Sequence, residues 1–157
     1  MKLHILRHAK TEKISNSGRD FDRKLMEKGK SQATIMASFL EHKNWKETSL
    51  FCSSAQRTRE TFDIVCKNID FKKVCFEQNL YLSGLSDLLN FVWEQKTSND
   101  IFILGHNDGL SHLASYFSGK EIHLKTCGYV CVEFQINSSE EMSRDSGILI
   151  DAFRPEV

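Results

Sequence analysis

Proline is all but missing from the 157-residue sequence; the one example, Pro155, stands near the very end. No Pro/Gly/Ser-rich linker divides the chain, and no internal repeat or low-complexity segment is found. A single domain over 1–157 is therefore expected. Long apolar runs are missing too. Nothing approaches the ~20 residues that a bilayer-spanning helix requires. The apolar part of Met1-Lys2-Leu3-His4-Ile5-Leu6 is too short for the central region of a secretory signal, and no small-residue cleavage pattern follows it. These absences predict a cytoplasmic protein without a membrane partner. An excess of one charge is the third absence: 21 Lys+Arg stand against 21 Asp+Glu. Domains that grip nucleic acid carry a clear basic surplus, so no nucleic-acid partner is expected, although a local basic pocket stays open. The five cysteines, Cys52, Cys66, Cys75, Cys127 and Cys131, are an odd number, each among apolar neighbours. They read as buried free thiols in a reducing compartment.

What is present is ordinary for a globular chain, 40% hydrophobic and 27% charged. A chain of this length buries roughly 70% of its unfolded surface and needs neither disulfide nor metal to hold a core. Short apolar runs at Leu3–Leu6, Ser49–Cys52, Val74–Phe76 and Ile101–Leu104 read as strands. The last is apolar throughout between Asp100 and Gly105, as a buried parallel strand should be. Helices are predicted at about Leu25–Lys43, with Gly29, Ala33, Met36, Ala37 and Leu40 on one face, and at about Ala55–Asn68. Leu85, Leu88, Leu89, Val92 and Trp93 give a third helical stripe, and Leu110, Leu113, Ala114 and Phe117 a fourth. Near the C-terminus Val130, Val132, Phe134 and Ile136 alternate with polar or small residues, as do Ile148, Ile150 and Ala152. That pattern predicts two half-exposed antiparallel strands. The expected architecture is α/β: a three-layer α/β/α sandwich with a mostly parallel sheet and an antiparallel C-terminal hairpin. Trp45 and Tyr116 read as partly exposed but form no continuous apolar patch, so a monomer is expected.

Polar groups follow three of these strands directly: Arg7-His8 after the first, Arg57 shortly after the second, Gly105-His106 after the fourth. Ligands of open α/β sheets bind beyond the carboxyl ends of the strands. Two arginines and two histidines converging there suit a dianionic oxyanion such as phosphate, since the guanidinium fork binds phosphate oxygens bidentately. Ser53-Ser54-Ala55-Gln56 fits a capping box, which places Arg57 in the first turn of a helix. A cation there opposes the helix dipole by roughly 0.3–1 kcal/mol at a surface site, a cost that a bound anion offsets; the simpler reading is an exposed arginine paired with Glu60. Neighbouring arginines disfavour imidazolium, and a neutral ring can serve as nucleophile or as acid–base group. The flexible stretch Lys10–Arg23 reads as a mobile lip over the site, with Lys10 and Arg23 as secondary phosphate contacts, or as solvated loop charges. Other motifs fail. Gly29-Lys30-Ser31 has Lys24 where a phosphate-binding loop needs glycine. Gly105–Gly109 lacks a third glycine. His4 and His8 form no helical zinc pair, and Cys127 and Cys131 have no partner ligands. His42, His112 and His123 read as surface or helix residues.

Leu6-Arg7-His8-Ala9-Lys10, Ser53-Ser54-Ala55-Gln56-Arg57-Thr58-Arg59-Glu60-Thr61 and Gly105-His106-Asn107 together resemble the signature blocks of the histidine phosphatase superfamily, the phosphoglycerate mutase-like fold. Asp20-Phe21-Asp22-Arg23-Lys24-Leu25 is similar to the segment before the first long helix of short bacterial members. The length and sparse insertions resemble the SixA-like phosphohistidine phosphatases. The resemblance implies that His8 becomes phosphohistidine, that Arg7 and Arg57 clamp the phosphoryl oxygens, and that His106 stabilises their charge. It implies no metal or cofactor, and a phosphate-bearing substrate, in the SixA-like case phosphohistidine on a protein. Two departures stand out. Ala9 replaces the signature glycine. Leu80-Tyr81-Leu82 puts leucine where the mutase branch has its proton-donating glutamate. Neither Glu77 nor Asp87 matches that place, and Asp22 is the remaining candidate for a proton donor. A missing acid disfavours alcohol phosphates, whose alkoxide needs a proton, more than phosphohistidine. The same pocket is also compatible with a small-molecule phosphomonoesterase or a non-catalytic phosphate-binding domain.

Overall fold

A computed structural model describes residues 1–157. The four parallel runs form as expected: β1 (Lys2–Arg7), β2 (Thr48–Ser53), β3 (Lys73–Glu77) and β4 (Asp100–Gly105). The helices are α1 (Glu27–Leu40), α2 (Gln56–Val65), α3 (Leu85–Glu94) and α4 (Gly109–Ser118), and two further strands are β5 (Tyr129–Glu133) and β6 (Ile148–Phe153). They build one six-stranded sheet in the order β3-β2-β4-β1-β5-β6, with β1 to β4 parallel and β5 and β6 antiparallel.

Alternation along the strands makes the two cores. Leu3, Ile5, Phe51, Ile101 and Ile103 face α3 and α4, where Leu88, Val92, Leu113 and Phe117 close the layer. Leu6, Leu50, Cys52, Phe102 and Leu104 face α1 and α2, against Ala33, Met36, Leu40 and Val65. Because β4 is covered on both faces, its sequence is apolar without a break. The chain moves outward from β1 to β2 and β3 with helices on one face. It then returns to β4, between β1 and β2, and continues with helices on the other face. This reversal is the switch point at which an α/β sheet leaves a crevice beyond its carboxyl ends.

Several expectations need correction. β5 is not half exposed: Tyr129 to Val132 are all buried, because β5 lies inside the sheet between β1 and β6. Of these two strands, β6, at the sheet edge, is the one with an outer face. β5 also stops at Glu133. Phe134 lies beyond it and is buried in the core, its N–H donating to the Met1 carbonyl. α1 is shorter than Leu25–Lys43: Leu25 pairs instead with Thr11 across an isolated bridge. Trp45 is buried, and its indole N–H donates to the Leu40 carbonyl at 2.8 Å, satisfying an acceptor freed at the end of the helix. The cysteines are all free thiols; four are buried and Cys75 is half-buried. No helix is long and apolar enough to cross a membrane.

Candidate active site

Arg7 ends β1, Ser53 ends β2 and Gly105 ends β4, so the residues that follow these strands meet in one crevice. Arg7, His8, Arg57 and His106 all line a cavity of about 320 Å³, together with Lys10, Thr11, Lys13, Asp20, Arg23, Leu82, Asn107 and Thr126. Five of these residues are cations and only one is a carboxylate, in a chain of zero net charge. A larger cavity of about 440 Å³, between Glu121–Lys125 and β6, contains none of the four.

His8 is buried. Its Nδ1 lies 2.8 Å from the Ala9 carbonyl, and the Arg57 Nε–H donates to its Nε2 at 3.3 Å. A carbonyl only accepts and a guanidinium only donates, so Nδ1 carries the proton and Nε2 keeps its lone pair. Burial, and then the neighbouring His106 and the charges of Arg57 and Arg7, push the imidazole down to about 3, against the bond to Ala9. The ring is neutral, with its nucleophilic nitrogen beside a guanidinium.

His106 is buried next to it, ring centroids 5.4 Å apart. Its Nε2 lies 2.7 Å from Ser53 Oγ. The Ala55 N–H donates to that same hydroxyl at 3.4 Å. The hydroxyl can accept a second bond or donate its own, and where it donates to Nε2, Nδ1 carries the N–H. That Nδ1 is buried and has no partner, as has Arg7 Nε. Buried polar atoms are paired in most proteins; these two are exceptions, on residues that line one cationic cavity whose chemistry suits an oxyanion. Burial and Arg57 also hold His106 down to about 3.

Arg57 is not the exposed partner of Glu60. It is 2% exposed, and Nη1 and Nη2 donate to the Asp20 carbonyl and to Asp20 Oδ2 at 2.8 and 3.0 Å. The capping box does not form either: Ala55 is the cap of α2, no side chain bonds to it as a cap, and Ser53 serves His106 instead. Arg7 donates to the Leu124 carbonyl at 3.0 Å, and its half-buried charge is disfavoured by burial and by Arg57, which together outweigh the opposing charge of Asp108. Both effects are relieved by a dianion.

Lys10 and Arg23 line the cavity. The segment carrying them is tied down rather than free. Thr11 pairs with Leu25, the Met26 N–H donates to the Lys10 carbonyl, and Asp20 holds Arg57. Asp22 is not in the site: its carboxylate is taken by Arg19 and Ser17 on the outer side of the loop. Asp87 lies on α3 at another cavity. Sequence reasoning missed Ser53, which looks like a helix cap, and the pair Asp20–Tyr81, whose signal lay only in the segment similar to short bacterial members.

The sequence matches the histidine phosphatase superfamily (branch 1) over residues 3–102, and the chain belongs to that superfamily. His106 lies just beyond the matched span. An uncharacterised chloroplastic protein of Arabidopsis thaliana is 32% identical over 93% of this chain and 72% of its own. Among solved structures, the fold is shared with a putative phosphohistidine phosphatase SixA from Nakamurella multipartita (TM-score 0.85, 18% identity, 99% and 96% of the two chains). It is also shared with the protein histidine phosphatase SixA complexed with tungstate (TM-score 0.80, 14% identity, 98% and 97%).

Proposed function

We propose that this chain, acting as one monomeric domain, is a phosphatase that hydrolyses phosphohistidine on a protein partner through a phosphohistidine intermediate at His8. The observation that carries this reading is the state of His8: a neutral ring with Nε2 unprotonated, between guanidinium groups that fit a phosphoryl dianion. Arg7 and Arg57 bind the phosphoryl oxygens. Nε2 attacks phosphorus in line, the P–N bond to the partner's imidazole breaks, and His106 and Arg7 donate from their free N–H groups to the oxygens as charge builds. Arginine charge supplies here what a metal supplies in other phosphatases. Water then cleaves the P–Nε2 bond.

The substrate class follows from the leaving group. An alkoxide needs a proton in the transition state; a departing imidazole needs it less. Leu82, 54% exposed, lines the cavity at the position where the mutase branch carries glutamate, and this favours the nitrogen leaving group. The SixA bound to tungstate, an oxyanion, supports an anion site in this fold.

The test is phosphate release from a phosphohistidine-bearing phosphotransfer domain by wild type and by His8→Ala. Release by the first and loss in the second is expected. Turnover of small phosphate esters alone makes the chain a small-molecule phosphomonoesterase. Tight binding without turnover makes it a binding module.

A further inference from the structure

Asp20 is the single carboxylate that lines the cavity, and nothing in the sequence pattern gives it work beyond shaping a loop. It opens a short 3-10 turn, Asp20–Asp22, in the segment between β1 and α1. Three elements converge on it. From α2, Arg57 Nη2 donates to Oδ2 at 3.0 Å. From the turn after β3, the Tyr81 hydroxyl donates to the same oxygen. From its own turn, Arg23 Nε lies 3.0 Å from Oδ1. His106, Lys10 and Lys13 face the same space. One guanidinium thus separates the carboxylate from the nucleophile, since the Nε of the same Arg57 touches His8. Tyr81 packs edge-on against the His106 ring at 5.4 Å, so the tyrosine that holds Asp20 also borders the second histidine.

We propose that Asp20 is the general base of the second half-reaction, accepting a proton from the water that hydrolyses phospho-His8. The assignment rests on the reading of His8 as the phosphorylated nucleophile. In that step the water oxygen bonds to phosphorus, the P–Nε2 bond breaks, and its electron pair returns to the imidazole. One water proton passes to Oδ1 or Oδ2 of Asp20 and is later lost to solvent. Both histidines are occupied in this step, His8 by the phosphoryl group and His106 as a donor to its oxygens. No other Asp or Glu lines the cavity. Burial pushes the Asp20 carboxyl up, but the bonds from Tyr81 and Arg57 and the charges of Arg57 and Arg23 outweigh it. The group is therefore ionised at neutral pH, and its basicity rises when the bond from Arg57 is given up. An arriving dianion competes with Asp20 for Arg57, and this frees the carboxylate toward the incoming water.

The experiment is a rapid-quench time course of the wild type and Asp20→Asn with a phosphohistidine-bearing phosphotransfer domain, quenched in alkali and scored for phospho-His8 and for free phosphate. Asparagine keeps the bonds with Arg57 or Tyr81 but cannot take the proton. The expected result is phospho-His8 accumulating to about one per chain in Asp20→Asn, with phosphate release about 100-fold slower than wild type. Wild-type release from Asp20→Asn overturns the proposal. Equal slowing of formation and release, without accumulation, also overturns it, because that marks a residue that merely positions Arg57. Should Asp20→Asn not fold, the wild type decides at neutral pH: hydrolysis of phospho-His8 must slow about two-fold or more in D2O while formation of phospho-His8 does not, as proton transfer from water to a general base requires, and equal rates in the two solvents overturn the assignment. A wild type that never labels His8 overturns the functional reading itself, and Asp20 with it.

Discussion

At the scale of single residues, His106 depends on a hydroxyl that the sequence disguises. Ser53 stands three residues before Gln56, the spacing of a capping box, yet its Oγ lies 2.7 Å from His106 Nε2 and caps nothing. Its removal leaves His106 free to choose either tautomer and to turn. Ser53→Ala is expected to lower kcat about 10- to 100-fold with little change in KM. Cysteine, a weaker donor, should rescue less well than threonine; steady-state kinetics on the three variants checks this. Leu82 offers the complementary test. Leu82→Glu puts a carboxyl at the rim of the cavity and should raise kcat/KM for alkyl phosphates relative to phosphohistidine by about 10-fold or more, read from a two-substrate comparison. An unchanged ratio would sever the link between the missing acid and the leaving group.

At the scale of elements, Gly29 is the contact that holds α1 against the segment after His8. A Cβ built there would lie 2.0 Å from the Lys10 carbonyl oxygen, an overlap that backbone must move to relieve. Gly29→Ala gains about 1 kcal/mol of helix propensity but pushes α1 off the Lys10 carbonyl, which also accepts from Met26. The net expectation is destabilisation by about 1–3 kcal/mol, measured by denaturant unfolding, with weaker phosphate binding because Lys10 and Thr11 move. In the sequence Gly29 stands out only as a residue on the apolar face of the first predicted helix. The four parallel strands were legible, because a strand covered on both faces reads as an unbroken apolar run, and Arg7, His8 and His106 were legible because they follow such runs directly. What was hidden depends on partners far along the chain. Alternation in Val130–Ile136 does not reveal that β5 is flanked by β1 and β6, which buries both of its faces. Asp20 and Asp22 are two residues apart in one polar loop; only Arg57 and Tyr81, folded over from distant segments, decide which of them enters the site.

At the scale of the whole molecule, three histidines are held neutral by burial. His8 and His106 are in the site, and His4 lies on β1 beside Tyr129, whose hydroxyl is 2.8 Å from its Nδ1; each is pushed down to about 3 from an ordinary 6.5. Above pH 6.5 both folded and unfolded chains leave these rings neutral, and stability is complete. As pH falls from 6.5 toward 3, the unfolded chain takes up protons that the folded one refuses, so stability is lost. Each ring contributes about 1.4 kcal/mol per pH unit in that window. Three together approach 4 kcal/mol per unit at most, against a total of about 5–15 kcal/mol for a typical domain. Denaturant titrations between pH 7 and 5 are therefore expected to show an uptake on unfolding that rises to about three protons near pH 5. His4→Gln, remote from the cavity, should reduce the number to about two and leave turnover unchanged. Saturating sulfate, a dianion throughout this window, separates the groups further. A dianion beside His8 and His106 favours their protonated forms and raises both in the folded state, while His4 lies out of its reach. Sulfate should therefore flatten the acid slope toward the single proton of His4, and should flatten it further in His4→Gln. A slope that sulfate leaves untouched would mean that the anion does not sit between the two site histidines, and the arrangement of Arg7, His8, Arg57 and His106 as one oxyanion receptor would fall with it.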